Sequence, residues 1–321
     1  MIAVILNAGS GASGSNAAND LKTQVLKAFE ASNIKAKITI ATTGQELIET
    51  AKALARNDDF KIIVAGGGDG TISAVAAAII GTSKILGVLP LGTLNHFSKD
   101  LGIPQNLTDA VRVIAENNIK EIDVGEVNGQ IFLNNSSLGL YPNIVRRRER
   151  QQRLGQSKWY AAFWATVSVL RRYPFFAVKL KTEDEELTRR TPFIFIGNNE
   201  YEMDAFKIGT RKNLDKGKLS VYLLRRTNRT GLLKLALRSI FGLLREAKEF
   251  ETFCTADVFI ETHRKKKLLV AFDGEVRLME TPLNYRIREK SLRVIVPARE
   301  LTSETASLTA NFSILAQLSN S

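Results

Sequence analysis

Hydrophobic positions in the first 125 residues alternate between two rhythms. Ile2–Leu6, Ala36–Ile40, Lys61–Val64 and Ile85–Leu89 are short apolar runs, some of them β-branched, as expected for strands covered on both faces of a parallel sheet. The stretches between them follow the helical period. Asn19–Ser32 places Leu21, Val25, Leu26 and Phe29 on one face, and Gln45–Arg56 and Thr71–Ile80 read as further helices. A fourth helix is expected to run to Asn117, with Thr108 or Asp109 as its N-cap. Strand–helix alternation of this kind predicts a doubly wound, mostly parallel α/β domain over residues 1–125.

The pattern changes near Glu121. Asn128-Gly129 is a hairpin signal between strands expected at Glu121–Val127 and Gln130–Asn134. Strand-like runs then dominate: Phe176–Lys181, Pro192–Gly197, Leu219–Leu224, Ala256–Thr262, Leu268–Phe272, Tyr285–Arg288 and Leu292–Val296. Helices are expected around Lys158–Leu170 and Thr230–Leu244. Residues 126–299 are therefore read as a β-sandwich-like domain. The tail after Pro297, chiefly residues 300–321, is expected to fold back on the first domain as a helix.

Composition narrows the class. The apolar share is 44% of 321 residues, enough for one large core or two modest ones. No stretch reaches the ~18–20 apolar residues that span a bilayer, and Met1–Gly11 lacks a basic leader. A single cysteine, Cys254, rules out an intrachain disulfide. The expectation is a cytoplasmic chain that meets membranes peripherally. The net charge of +12 is unevenly placed: residues 1–125 hold 11 basic and 12 acidic side chains, so the excess lies entirely in the later part. Such a field attracts polyanions, either nucleic acid or an anionic membrane.

The chemistry concentrates in loops that follow strands. Gly9-Ser10-Gly11-Ala12-Ser13-Gly14 fits the dinucleotide fingerprint GxGxxG. That reading also wants a carboxylate at the end of the second strand, where Ala41-Thr42-Thr43 stands instead. Asn7, Ser10 and Gly11 still form a turn whose amides suit a phosphate. In Val64-Ala65-Gly66-Gly67-Gly68-Asp69-Gly70-Thr71, consecutive glycines let backbone approach a ligand and a helix N-terminus presents its N–H groups. Asp69 would repel a phosphate unless Mg²⁺ lies between them; as a plain turn, the same residues would have Asp69 capping the helix. Pro90 to Pro104 follows the next strand, with Thr93 and Asn95 offering neutral hydrogen bonds to phosphate or ribose. The chain has no GxxxxGK[ST] phosphate loop.

Gly67-Gly68-Asp69-Gly70-Thr71, followed by Pro90-Leu91-Gly92-Thr93-Leu94-Asn95 and Leu101-Gly102-Ile103-Pro104, resembles the catalytic domain of the diacylglycerol kinase and sphingosine kinase family, in its compact bacterial form. The first of these elements alone is shared with NAD kinases and phosphofructokinases; the pair at this spacing is specific. Asn7-Ala8-Gly9-Ser10-Gly11, Asp123 in Ile122–Gly125, Phe132–Gly139 and Phe272-Asp273-Gly274-Glu275 continue the likeness to about Pro297. The resemblance implies an ATP site between the domains, lined by Asn7, Ser10, Gly11, Thr42, Thr43, Gly66, Gly67, Gly68, Asp69, Gly70, Thr71, Thr93 and Asn95. It implies Mg²⁺ near Asp69 and Asp123. Glu275, with Asp273 beside it, would take the proton of a lipid hydroxyl, and the β-rich domain would hold the acyl chains. Without the resemblance, Asp273-Gly274-Glu275 reads simply as a hairpin turn.

Two positions depart from the family. His96 stands where an aspartate is usual. In Leu214-Asp215-Lys216-Gly217, Lys216 replaces the second aspartate of a loop that holds a structural Mg²⁺ in some members, which leaves Asp215 as the only carboxylate for it. The basic run Arg146–Arg153 before Trp159–Trp164, with Arg225, Arg226, Arg229 and Arg264–Lys267, suits docking on anionic lipid; packed aromatics and a solvated charge cluster are the plainer alternative. The expected function is transfer of the ATP γ-phosphate to a lipid hydroxyl, diacylglycerol or a related lipid, at an anionic membrane surface and without nucleic acid. The oligomeric state stays open, a homodimer included. An NAD kinase-like enzyme with a soluble substrate is one rival. A nucleic-acid-binding protein is another, but it leaves the glycine loops unexplained. A kinase-like binding protein without turnover is a third.

Overall fold

The computed structural model describes residues 1–8, 15–153, 175–182, 185–204, 207–211, 213–224, 250–262 and 265–298. The expected helices around Lys158–Leu170 and Thr230–Leu244, and the tail 300–321, lie outside these residues.

The first domain alternates as its apolar pattern predicts: β1 (Ile2–Asn7), α1 (Ser15–Ala31), β2 (Ala36–Ala41), α2 (Gly44–Ala55), β3 (Ile62–Gly67), α3 (Asp69–Ile79) and β4 (Ile85–Pro90). The strands pair in parallel in the order β2-β1-β3-β4. Ile5, Leu6, Ile63, Val64, Leu86 and Leu89 are buried in the sheet, and Val25, Phe29, Ile72 and Val75 close on it from the helices. Leu26, grouped with the core face by its spacing, is 37% exposed, because the inward stripe of α1 is centred on Val25 and Phe29.

Two short elements follow: α4 (His96–Asp100) and α5 (Leu107–Glu116). The cap of α5 is Asn106 rather than Thr108 or Asp109. Asn106 is extended, and its Oδ1 accepts from the Asp109 amide at 2.9 Å. Asp109 is thus the capped residue of the first turn. The helix α4, inside the Pro90–Pro104 loop, is too short to show a period in the sequence.

After α5, β5 (Ile119–Val127) turns through Asn128-Gly129, both at positive φ, into β6 (Gln130–Phe132), the mirror-type turn that fits strand twist. The expected strand to Asn134 breaks after Phe132, and β7 (Asn135–Gly139) begins a second sheet before α6 (Leu140–Arg153). The remaining elements are β8 (Phe176–Lys181), β9 (Glu186–Thr191), β10 (Phe193–Asn198), the small pair β11 (Glu202–Asp204) and β12 (Lys207–Thr210), β13 (Leu219–Leu224), β14 (Phe250–Thr255), β15 (Asp257–Thr262), β16 (Lys267–Phe272), β17 (Glu275–Glu280) and β18 (Leu283–Ile295). A six-stranded antiparallel sheet, β14-β13-β10-β7-β16-β17, packs against the other sheet around Val127, Phe132, Leu138, Ile196, Val258 and Tyr285. The buried Tyr285 hydroxyl is satisfied by Ser136 at 2.9 Å, and burial pushes its pKa up. The architecture is the expected one, a doubly wound α/β domain followed by a β-sandwich.

The two domains share one sheet. Tyr285–Arg288 and Leu292–Val296, read as two strands, belong to the single strand β18, which at ~3.4 Å per residue is long enough to serve both domains. Its end pairs in parallel with β4 (Val294 with Leu86), and its length pairs antiparallel with β5. The sheet therefore runs β2-β1-β3-β4-β18-β15-β8-β9 without interruption. Between Arg288 and Leu292 the register shifts, with Lys290 at φ 45°. The Lys290 amide, displaced from the ladder, donates instead to the Asp123 carboxylate at 2.9 Å.

Candidate active site

The turns that follow β3 and β4 meet at the carboxyl end of the sheet, where open parallel sheets present their crevice, and Asn7 at the end of β1 lies beside them. The α3 turn follows directly from β3. Its N-cap, Gly68, supplies no side-chain cap, so the leading amides of the helix depend on other partners. Gly92, in the next turn, packs backbone to backbone on it: a Cβ at Gly92 would lie 2.4 Å from the Gly68 Cα. Gly70 faces open space. The Asn95 amide, in a left-handed conformation, donates to Pro90 O, Gly92 O and Gln105 Oε1, while its buried Oδ1 has no partner.

Asp69 does not cap its own helix. Its Oδ2 accepts from the His96 amide at 3.1 Å and its Oδ1 from the Phe97 amide at 2.9 Å, so one carboxylate secures the start of α4. His96, in the position where acid is usual in the resembling family, contributes its backbone here and is exposed. Asn7 Nδ2 donates to the Thr71 hydroxyl at 2.9 Å, tying the β1 end to α3. Thr93 is exposed beside Gly92. Thr42 and Thr43 are engaged at the start of α2. Thr43 Oγ1 caps the Glu46 amide, and Glu46 accepts from both the amide and the hydroxyl of Thr42. These bonds, the Thr42 amide first, hold the Glu46 carboxyl below its ordinary value. The helix cap is thus a sufficient reason for both threonines. Ser10 and Gly11 lie outside the described residues.

The opposite wall comes from the second domain. Asp273-Gly274, both at positive φ, make the two-residue turn from β16 to β17. Both Asp273 oxygens are engaged: Oδ1 by the amides of Asn134 (2.9 Å) and Asn135 (3.2 Å), Oδ2 by the Leu133 amide (2.7 Å) and the Ser73 hydroxyl (2.6 Å). Burial raises the Asp273 carboxyl above its ordinary value, against the pull of those four donors. Asp273, expected beside the proton acceptor, lines the same cleft as Glu275, and its four hydrogen bonds make it a pin between α3 and the β6–β7 corner. Glu275, two residues on, is exposed and pairs with Arg277 at 3.0 Å; Arg277 also donates to Gln130. Glu275, Arg277, Gly70, Ser73 and Lys52 line one cleft of about 380 Å³, floored by small and apolar residues such as Ala74 and Phe272. The interdomain groove thus brings Glu275 to the first turn of α3.

Asp69 and Asp123, expected near one Mg²⁺, and Asp215, expected in a separate loop site, each have partners of their own. Asp123 is buried; Oδ1 accepts from Lys290 and Oδ2 from the Gly217 amide at 2.7 Å, so it closes the β18 bulge and the 214–217 loop. Asp215 pairs with Lys120 at 3.1 Å, and the Lys216 amide goes to Asn199. No group of three His, Cys, Asp or Glu side chains is arranged for a metal among the described residues. Asp123 does not fit that role because it is buried, with no side open to water or phosphate, and Asp215 because Lys120 already pairs with it. Asp69 does fit: Mg²⁺ usually takes one or two carboxylates with the remaining positions from phosphates and water, and each Asp69 oxygen keeps a lone pair.

Two participants had no clear mark in the sequence. Ser73 stands one turn after Asp69, so i, i+4 spacing on the helix could have suggested it. Arg211 had no local signal. Its guanidinium is fully buried, bonds Asp100 Oδ2 at 2.8 Å, and reaches Leu133 O, Asn198 O and Asn134 Oδ1. It also lies over the Tyr201 ring, whose hydroxyl is pushed up to about 12 by burial. Burial likewise raises Asp100, with Arg211 opposing. Among the described residues no helix is long and apolar enough to cross a membrane.

Known proteins match both halves of the chain. A family model described as the diacylglycerol kinase catalytic domain matches residues 1–127. One described as the YegS C-terminal NAD kinase beta sandwich-like domain matches residues 138–296. The diacylglycerol kinase of Bacillus subtilis is 25% identical over 259 residues, covering 78% of this chain and 83% of that one. That of Staphylococcus haemolyticus is 26% identical over 191 residues, 58% of this chain and 56% of that one. A Salmonella newport protein named probable lipid kinase YegS is 40% identical over 89 residues, 26% of this chain and 30% of that one. Among solved structures, a diacylglycerol kinase from Bacillus anthracis superposes with a TM-score of 0.65 at 18% identity, covering 92% of this chain and 96% of that one.

Proposed function

The chain belongs to the diacylglycerol kinase and YegS-like lipid kinase family, and from that premise we propose that it transfers the γ-phosphate of ATP to the hydroxyl of a lipid, diacylglycerol or a close relative. One observation carries the reading: the exposed Glu275 carboxylate and the N-terminal turn of α3 line the same cleft from opposite domains. Phosphoryl transfer needs charge neutralisation and in-line placement more than covalent help. The amides at the start of α3 and the close backbone of Gly68 and Gly92 suit a triphosphate. Mg²⁺ held at Asp69 would neutralise phosphate charge there. Glu275, steadied by Arg277, would orient the attacking hydroxyl and receive its proton. Asp273 would position Glu275 by fixing the turn that carries it.

The acceptor enters on the side of the small apolar floor, Ala74, Ala77 and Ala78, which suits the first methylenes next to a headgroup. Docking on an anionic membrane would draw on the basic second half; Arg146 on α6 and Lys265, Lys266 and Lys267 at the start of β16 are exposed. The test is labelled phosphate transfer from ATP with Mg²⁺ over a panel of lipid vesicles, with Asp69→Ala as control. A second reading, phosphorylation of a soluble nucleotide, takes support from the NAD kinase-like description of the second domain. NAD in the same assay separates the two: label in NAD and none in lipid would replace the lipid reading.

A further inference from the structure

We infer that Arg211 is a positioning residue for the transfer, acting through the β6–β7 corner to hold Glu275 opposite the glycine turn; this rests on the reading above. Arg211 touches neither wall of the cleft. Its contacts instead complete a closed circuit between them. Asp69, at the start of α3, secures the amides of His96 and Phe97. Asp100, at the other end of that five-residue helix, receives Arg211. The Arg211 guanidinium grips Leu133 O and Asn134 Oδ1. The amides of Leu133 and Asn134 bind Asp273, whose turn carries Glu275. Ser73 returns the circuit from Asp273 to α3, one turn from Asp69.

Each link is short and directional, and the central one is wholly buried. A buried ion pair is weak evidence for stability, since well-packed apolar residues often hold two elements as firmly. Apolar packing would not supply the forked donors that fix the Leu133 carbonyl and the Asn134 side chain, and the amides of these same two residues are what bind Asp273. Lysine has three donors around one nitrogen and lacks the planar fork. The pair therefore sets where Glu275 stands relative to Asp69, beyond any hold on the domains.

The test uses the full chain with Mg²⁺-ATP and diacylglycerol in phosphatidylglycerol vesicles, comparing Arg211→Met, Arg211→Lys and the double variant Asp100→Leu/Arg211→Met. Arg211→Met should lower kcat by about 10–100-fold, while the KM for ATP stays within about threefold. Arg211→Lys should recover only part of the loss. The double variant removes both charges, so its melting temperature should return toward wild type while its kcat stays low. A double variant that melts like wild type and also turns over like wild type overturns the inference. Wild-type protein that labels no lipid at all sinks the lipid-kinase reading instead. In that event amide hydrogen exchange decides: Arg211→Met should speed exchange over residues 133–135 and 273–276 and leave 62–67 unchanged. Unchanged exchange over the first two segments refutes the role.

Discussion

Gly92 lies against Gly68 so closely that a methyl group on Gly92 would stand 2.4 Å from the Gly68 Cα and 2.7 Å from Asn95 Oδ1. The two loops that the sequence presents as separate glycine turns are one packed unit, and its two kinds of glycine separate experimentally. Gly92→Ala forces backbone against backbone, so the chain should lose stability by about 1–3 kcal/mol, read by denaturant unfolding. Gly70 sits in a helix and faces open space. Gly70→Ala should stabilise by about 0.5–1 kcal/mol and still weaken ATP binding, because the methyl group would occupy the side proposed for the triphosphate. A Gly70→Ala protein that binds ATP as wild type does would remove that turn from the site.

Glu275→Gln keeps the size of the side chain and removes the proposed proton acceptor. Turnover should fall by about 10²–10⁴-fold while the ATP-induced thermal shift persists. Asp273→Asn should also lose turnover, but with a fall in melting temperature that Glu275→Gln does not show, because an amide N–H₂ would face the backbone donors that now bind carboxylate oxygen. Equal melting temperatures for the two variants would contradict the division of roles.

Removal of the Asp69 carboxylate tests two duties together. Asp69→Ala deprives the amides of His96 and Phe97 of their acceptor, which should cost about 1–3 kcal/mol of stability. The further stabilisation that Mg²⁺ adds to ATP-bound protein should vanish. Persistence of that increment in Asp69→Ala would move the ion to other ligands.

Asp273 also predicts a pH dependence. Its folded pKa is raised by burial, so the folded state binds its proton more tightly than the unfolded state does. That contribution to stability is present below the ordinary aspartate value and is lost as pH rises through the raised one. The stability difference between wild type and Asp273→Asn should therefore widen as pH falls through this window, measured by urea unfolding from neutral to acid pH. A difference that narrows on acidification would mean that the hydrogen-bond donors outweigh burial.

Periodicity missed β7, β9, β11, β12, β14 and β17, which are short, polar or half-exposed, but it exposed the parallel sheet and the apolar strands of the second domain. The reason is that Ile2–Leu6 or Leu219–Leu224 must be buried wherever the chain folds, and a turn such as Asn128-Gly129 favours one local geometry. The glycine turns were legible for the same reason, since their geometry is local, whereas Glu275 stood out only through the family resemblance. Thr42 and Thr43 are ambiguous in the sequence because a helix cap and a phosphate contact call for the same residues. The partners of Asp123, Asp215 and Asp273 were not legible, because a carboxylate in a loop does not reveal what it will bind.

Residue order alone thus determined which segments become strands and helices, where the chain bends on glycine, and which family it joins, since these depend on neighbours within a few residues. Only the tertiary structure decided that β18 welds both domains into one sheet, that Asp123 satisfies the Lys290 and Gly217 amides, and that Arg211 meets Asp100 across 111 positions. A buried polar group takes whatever partner the packed core brings within about 3 Å, and sequence distance carries no record of that choice.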